Sequence, residues 1–217
     1  MDTTAPSGTV SINGAAAYTR STSVSLALSA SDAGGVTWMR FSEDGVKWGE
    51  WEPYATTKAW TLVGANGTKT VFAQYRDGAG NVSETASDTI VLDTAKPSAG
   101  ATTPANSATG RARKTNLTVA FSEKMDPATT NKSTFKLYKV TSTGTTQVTN
   151  VAVSLSPDGL KATLDPFGAT STLLAAKTKY KAVVTAGAKD LAGNALDQKP
   201  TAAGNQPKVW YFTTGAS

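Results

Sequence analysis

Two copies of the pattern Asp-x-Ala-Gly-Asn carry the side chains best suited to hold a metal ion. They read DGAGN from Asp77 and DLAGN from Asp190. Carboxylate and amide oxygens are the hard ligands that calcium prefers. The pattern predicts two candidate calcium sites, one built from Asp77 and Asn81 with Asp2 or Asp93, the other from Asp190, Asn194 and Asp197. The alternative is a metal-free turn in which each aspartate bonds its own backbone.

The absence of histidine and cysteine limits the chemistry that this chain can perform. Ser-His-Asp and Cys-His nucleophiles are excluded, as are the usual zinc and redox-iron ligand sets. Four carboxylates cluster in one stretch: Glu43, Asp44, Glu50 and Glu52. A glycosidase needs two carboxylates that face each other across a cleft, and the sequence indicates no cleft. We therefore predict a chain that is not an enzyme.

Aromatic residues near this acidic stretch suggest a different activity. Trp48, Trp51 and Tyr54 are candidates for stacking on sugar rings. The odd spacing of Trp48 and Trp51 directs them to opposite faces of a regular strand, although a bulge at Gly49 would reset the alternation. The alternative is that these rings fill a core or cover a seam between modules.

Charge is distributed unevenly along the chain. Residues 1–97 hold seven basic and ten acidic side chains, and residues 98–217 hold fourteen and six. The tightest basic cluster is RARK, from Arg111 to Lys114. Scattered lysines are typical of a solvated face or a protected strand edge, while polyanion binding is the alternative. We predict no nucleic-acid partner.

Short alternating apolar runs indicate the elements that position these residues. Val24, Leu26 and Leu28 share one strand face, and Leu117, Val119 and Phe121 share another. About seven such runs, separated by Gly, Asn, Asp and Pro, fill the first half, and the second half repeats the arrangement. Regularly spaced short strands are the signature of a β-sandwich.

Two further segments read as strand, and one segment is ambiguous. Residues 46–54 read as a strand returning from the Asp-Gly turn at Asp44, and residues 146–156 as a strand region leading to the turn Pro-Asp-Gly. Residues 168–178 fit either a brief helix or a long loop. Both Asp-x-Ala-Gly-Asn copies lie between a central strand and the last strand of a module, so we predict that each forms the turn between them.

A repeated phrase marks the module boundary. DTTAP begins at Asp2 and DTAKP begins at Asp93, and such an echo is typical of tandem modules. We predict domains at 1–96 and 97–217, joined by a short seam that proline stiffens. No run is long and apolar enough to insert into a membrane, and we expect the chain to be a fragment of a longer secreted protein.

These motifs resemble known bacterial modules. VTWMRFSEDGVKWGEWEPYA and GTKTVFAQYRDGAGNVS in residues 1–97 are similar to an immunoglobulin-like repeat of secreted bacterial and archaeal proteins. FSEKMDP, KDLAGN and the terminal FTTG in residues 98–217 resemble the SbsA-type bacterial Ig-like domain. The resemblance implies an all-β fold of two tandem immunoglobulin-like β-sandwiches, and it implies no catalytic activity.

The resulting expectation is a non-catalytic spacer of an extracellular or cell-surface bacterial protein of the stalk, adhesin or S-layer type. Its partners would be neighbouring Ig-like repeats of the same chain, and it would need no cofactor apart from the calcium considered above. Two alternatives stay open: a module that binds surface glycans, and a subunit that assembles with copies of itself into a filament or layer.

Overall fold

The chain divides into two compact units, Met1–Thr94 and Ala95–Ser217. A computed structural model describes residues 2–168 and 172–216. Within those residues every regular element is a β-strand, as the alternation predicts. The same described residues contain no helix with the length and apolarity needed to cross a bilayer. The prediction of two tandem immunoglobulin-like β-sandwiches is confirmed.

The first unit contains eight strands in two sheets. One sheet has the order β1-β3-β6 and the other β2-β8-β7-β4-β5. The strands are β1 Ser7–Ile12, β2 Tyr18–Thr19, β3 Ser23–Ser31, β4 Val36–Ser42, β5 Glu52–Pro53, β6 Thr57–Thr61, β7 Gly67–Asp77 and β8 Ala86–Leu92. The inward side chains of both sheets form one apolar core.

The second unit repeats this plan with nine strands. Its sheets have the orders β14-β15-β11-β9 and β10-β17-β16-β12-β13. The strands are β9 Ala99–Thr103, β10 Ala108–Arg111, β11 Leu117–Phe121, β12 Phe135–Thr141, β13 Gly144–Val148, β14 Ala152–Leu155, β15 Lys161–Asp165, β16 Lys179–Val184 and β17 Lys208–Thr214. A second, separate core lies between these sheets.

Strict alternation explains why these segments become strands. Val24, Leu26 and Leu28 on β3 are buried while their neighbours are exposed, which is the pattern expected of a strand with one face on a core. Burying each such side chain stabilises the fold by about 1.5–3 kcal/mol. In the second unit, Trp210 is fully buried beside Phe135, with ring centroids 5.7 Å apart.

In both units a strand near the start runs parallel to the last strand. β2 pairs with β8, where Val91 and Asp93 donate backbone hydrogen bonds to Ala17 and Thr19 at 3.0 and 2.8 Å. β10 pairs with β17 in the same sense. Each unit therefore joins its beginning and its end in one sheet, although the other pairs of that sheet are antiparallel.

The structure differs from the sequence prediction in two segments that read as strand. Of residues 46–54, only Glu52 and Pro53 form a strand, because the Asp44 carboxylate accepts the backbone N–H groups of Val46 and Lys47 and curls the chain instead. Residues 146–156 form two strands that belong to opposite sheets, β13 and β14. In the 168–178 segment, residues 172–178 are loop, and residues 169–171 lie outside the described chain.

Candidate functional site

The first Asp-x-Ala-Gly-Asn turn is organised by one buried carboxylate. Asp77 continues the inward row of β7 after Val71, Ala73 and Tyr75, and only 2% of it is exposed. Its Oδ1 accepts the backbone N–H groups of Gly80 and Asn81 at 2.7 and 2.8 Å. Its Oδ2 accepts the Asn81 side-chain amide at 2.7 Å. The aspartate thus holds the loop that follows its strand.

Ionisation of Asp77 is favoured by this arrangement. Burial acts to raise the pKa of Asp77, but the hydrogen bonds donated by Asn81 and Gly80 outweigh it, and the pKa lies below its ordinary value. A carboxylate that accepts several N–H bonds is stabilised in its charged form. Asp77 is therefore an anion at neutral pH.

The second turn repeats this construction. Asp190 is 2% exposed, its Oδ1 accepts the backbone N–H of Asn194 at 2.9 Å, and its Oδ2 accepts the Asn194 side-chain amide at 2.9 Å. Gly193 has a φ of +88° and Gly80 a φ of +99°, a backbone conformation that glycine adopts readily. These hydrogen bonds are the ones expected if each motif forms a turn.

Two other aspartates join Asp77 at the first turn. Carboxylate oxygens of Asp2, Asp32 and Asp77 lie within 4.8 Å of one another, a separation that one calcium ion with ligands at about 2.3–2.6 Å spans. Asn81 also contacts this group, because its amide donates to the Asp2 carbonyl at 3.3 Å. Calcium binding here stays a prediction.

The remaining predicted calcium ligands are engaged in hydrogen bonds within their own units. Asp93 accepts the Asn66 amide at 3.0 Å. Asp197 accepts the backbone N–H groups of Lys199 and Gln206 and forms an ion pair with Lys96 at 3.1 Å. Burial opposes ionisation of Asp197, but these hydrogen bonds and the nearby ammonium lower its pKa.

Two of the candidate sugar-binding rings are occupied by arginine. The Arg40 guanidinium lies over Trp48 at 4.9 Å and over Trp51 at 4.5 Å, and the Arg76 guanidinium lies over Trp51 at 4.5 Å and over Trp38 at 5.7 Å. Cation–π contacts of this kind stabilise exposed surfaces modestly. They form a stack on the outer face of the five-stranded sheet and use ring surface that a sugar would need.

Tyr54, the third candidate ring, faces the core. It contacts Tyr75 edge-on, with centroids 5.9 Å apart, and its hydroxyl accepts the backbone N–H of Ala30 at 3.0 Å. Tyr54 thus packs towards the core, whereas Trp51 stacks on Arg40. Sugar binding by Trp48, Trp51 and Tyr54 stays a prediction.

Two carboxylates of the acidic stretch are held by contacts within the first unit. Backbone hydrogen bonds from Lys47 and Val46 lower the pKa of Asp44, whereas a general acid needs a raised one. Glu52 forms an ion pair with Lys58 at 2.7 Å. Glu43 and Asp44 line an open groove of about 620 Å³ whose floor includes Phe41 and Trp60.

Comparison with known families identifies the second unit. A sequence model of the family described as "Bacterial Ig-like domain" matches residues 93–214. This match confirms the bacterial Ig-like assignment of the second half. No curated protein sequence matches the chain.

Solved structures resemble the chain at low identity. The N-terminal part of the bacterial S-layer protein SbsC aligns with a TM-score of 0.37 and 21% identity over 56% of this chain and 24% of that chain. The fibronectin(III)-like modules of Clostridium thermocellum CbhA align with a TM-score of 0.42 and 13% identity over 95% and 94%. Chitinase ChiA74 from Bacillus thuringiensis aligns with a TM-score of 0.35 and 18% identity over 100% and 28%. The chain thus spans about a quarter of the SbsC fragment.

Proposed function

Because this chain belongs to the bacterial Ig-like domain family, we propose that it is a non-catalytic structural module of an extracellular or cell-surface bacterial protein. It acts as a spacer within a larger chain of the stalk, adhesin or S-layer type. Its partners are neighbouring Ig-like repeats. A fold alone does not determine function, so the proposal depends on how the polar side chains are used.

One observation carries the proposal: the buried aspartates bond the protein's own backbone. Asp77 and Asp190 hold their turns, and Asp197 holds two backbone N–H groups of its loop. Asp88 likewise accepts the N–H of Ile12 at 2.7 Å, which ties β8 to β1. Carboxylates used in this way stabilise shape, and they have few lone pairs left for a substrate.

A replacement experiment tests the spacer role in the bacterial protein that contains this chain. An unrelated tandem of two Ig-like sandwiches should preserve that protein's activity at the cell surface. A Gly/Ser linker of the same number of residues should impair it, because such a linker behaves as a flexible coil. Loss of activity with the unrelated tandem would show that this particular surface is required and would overturn the proposal.

The two alternative functions predict different results. A glycan-binding module would bind members of a glycan array and lose that binding on Trp48→Ala or Trp51→Ala substitution. A self-assembling subunit would increase in mass over a concentration series in light scattering. A spacer stays monomeric and binds no glycan through Trp48 or Trp51.

A further inference from the structure

The outer face of the sheet β10-β17-β16-β12-β13 carries positive charge without compensation. None of its five strands contains an aspartate or a glutamate. Lys136, Lys179 and Lys181 lie on this face. Among residues 2–168 and 172–216, no carboxylate oxygen lies within ion-pairing distance of these three ammonium groups.

Aromatic rings alternate with the lysines across the strands. The register places Gln147 opposite Tyr138, Tyr138 opposite Lys181, and Lys181 opposite Tyr211. Residues directly opposite each other on neighbouring strands share one face, and their side chains touch. The Lys179 ammonium lies over the Tyr211 ring at 4.9 Å. We call the six residues Lys136, Tyr138, Gln147, Lys179, Lys181 and Tyr211 the basic strip.

The basic strip ends in a shallow polar groove. The groove has a volume of about 350 Å³, and its lining includes Lys132, Ser133, Lys136, Gln147 and Thr149. It offers two ammonium groups, two hydroxyls and an amide, and no acidic group. From β13 to β17 the strip crosses three strand spacings, about 14 Å in all.

We propose that the basic strip binds a linear anionic polysaccharide, a polymer of sugar rings that carries carboxylate or phosphate groups. Ammonium groups that have no carboxylate partner among the described residues attract the anionic groups of the polymer. The half-exposed rings of Tyr138 and Tyr211 provide flat apolar surfaces for sugar rings. The hydroxyls and the amide of the groove match the hydroxyls of the polymer.

The choice of a glycan depends on the mixture of groups in the strip. Lysines alone would bind any polyanion, but here each lysine lies beside a tyrosine or a neutral polar side chain. The Lys181 side chain lies between two tyrosines in the cross-strand register. A sugar polymer uses charge, ring surface and hydroxyl partners together, so it accounts for the whole strip.

Binding of the full chain to immobilised polygalacturonate, measured in 50 mM NaCl by biolayer interferometry, tests the proposal. The double variant Lys136→Gln/Lys181→Gln should bind at least tenfold more weakly. The matched control Lys161→Gln/Lys199→Gln also removes two exposed lysine charges but lies off the basic strip, and it should change the affinity less than twofold. Tyr138→Ala/Tyr211→Ala should weaken binding at least threefold without altering net charge.

Several outcomes would overturn the proposal. These are no binding to polygalacturonate, an equal loss in the matched control, and no effect of the tyrosine substitutions. Equally tight binding of duplex DNA or of anionic phospholipid vesicles would exclude a glycan-specific surface. Neutral dextran should not bind, and Lys136→Arg/Lys181→Arg should retain most of the affinity. Loss of binding in these variants leaves the spacer role intact, because their unfolding midpoints should match that of the native chain.

Discussion

The turn at Asp77 and the turn at Asp190 use the same atoms in the same way. In each, one carboxylate oxygen accepts the backbone N–H of the asparagine four residues later, at 2.8 and 2.9 Å, and the other oxygen accepts that asparagine's amide. Their surroundings differ. The first turn meets the carboxylates of Asp2 and Asp32, whereas Asp190 pairs through its backbone with Met125, which is fully buried.

This difference separates what a motif encodes from what the rest of the fold adds. The hydrogen bonds depend on five adjacent residues, so both copies form them. The acidic group at the first turn depends on Asp2 and Asp32, which lie far from Asp77 in the sequence, and at Asp190 a carboxylate oxygen of Glu123 lies within 4.8 Å instead. The turns should therefore respond alike to changes within the motif, and the response of the first turn to cations should depend on Asp2 and Asp32.

Removal of the carboxylate should have the largest effect. Asp190→Ala leaves the Asn194 N–H and amide without their acceptor in a buried position, and it should lower the free energy of unfolding of the second unit by about 3–5 kcal/mol. Asp77→Ala should destabilise the first unit and leave the second unchanged. Urea unfolding followed through amide NMR signals of each unit measures both effects. An effect as small as that of the exposed control Glu84→Ala would show that the turns are dispensable.

Glycine substitution tests whether the two turns are equivalent. A Cβ at Gly80 or at Gly193 meets no atom within 4 Å, so the cost of Gly80→Ala and of Gly193→Ala comes from the backbone alone. Each should destabilise its unit by about 1–2 kcal/mol, measured in the same urea experiment. Asparagine at these positions should cost less, since it tolerates positive φ. Clearly unequal losses of unfolding free energy would show that the two turns are not equivalent.

Calcium tests the acidic group at the first turn. If the Asp2–Asp32–Asp77 group binds calcium with the millimolar affinity of extracellular modules, 5 mM calcium should stabilise the first unit by about 1 kcal/mol. Thermal unfolding monitored by unit-specific NMR signals measures the shift, and EDTA should reverse it. Asp32→Asn should abolish the shift without disturbing the turn. A shift that persists in Asp32→Asn would show that the acidic group is not responsible.

The titration of Asp77 tests the first turn through the smallest of the expected effects. Because hydrogen bonds lower the pKa of Asp77, its contribution to stability is present above the unfolded-state value of about 3.9 and is lost as pH falls through the lower folded-state value. The carboxyl carbon chemical shift should therefore titrate below that of a model aspartate. Asn81→Ala should move the titration midpoint upwards. A midpoint at or above the ordinary value would contradict the hydrogen-bond pattern.

Local patterns were sufficient to predict much of this architecture. The alternation at Val24, Leu26 and Leu28 identified a strand with one buried face. The Asp-x-Ala-Gly-Asn pattern identified the turns at Asp77 and Asp190. Both predictions succeeded because they depend on residues that are neighbours in the sequence. Asp32 was missed as a neighbour of Asp77 because its own stretch, SDAGG, reads as an ordinary turn. Only the pairing of strands brings it to Asp77.

The tryptophans show the limit of reasoning from alternation. Period-two spacing assigns faces only where a strand exists, and Trp48 and Trp51 lie in a segment that Asp44 curls out of the sheet. Their positions depend on Arg40 and Arg76, which come from two neighbouring strands. The basic strip is similar, because Lys181 acquires its two tyrosine neighbours from separate strands.

The parallel pairs β2–β8 and β10–β17 determine how each sandwich bears tension. A pull on the two termini of the first unit first loads β1, which pairs with β3, and once it reaches β2 it draws β2 towards its amino end and β8 towards its carboxyl end. Their hydrogen bonds, such as Val91 to Ala17 and Asp93 to Thr19, are then loaded together in shear, whereas a hairpin pulled from its open end breaks one bond at a time. The second unit has the same geometry between Ser107 and Tyr211. In each unit the parallel pair thus places several hydrogen bonds so that a pull along the two strands loads them together.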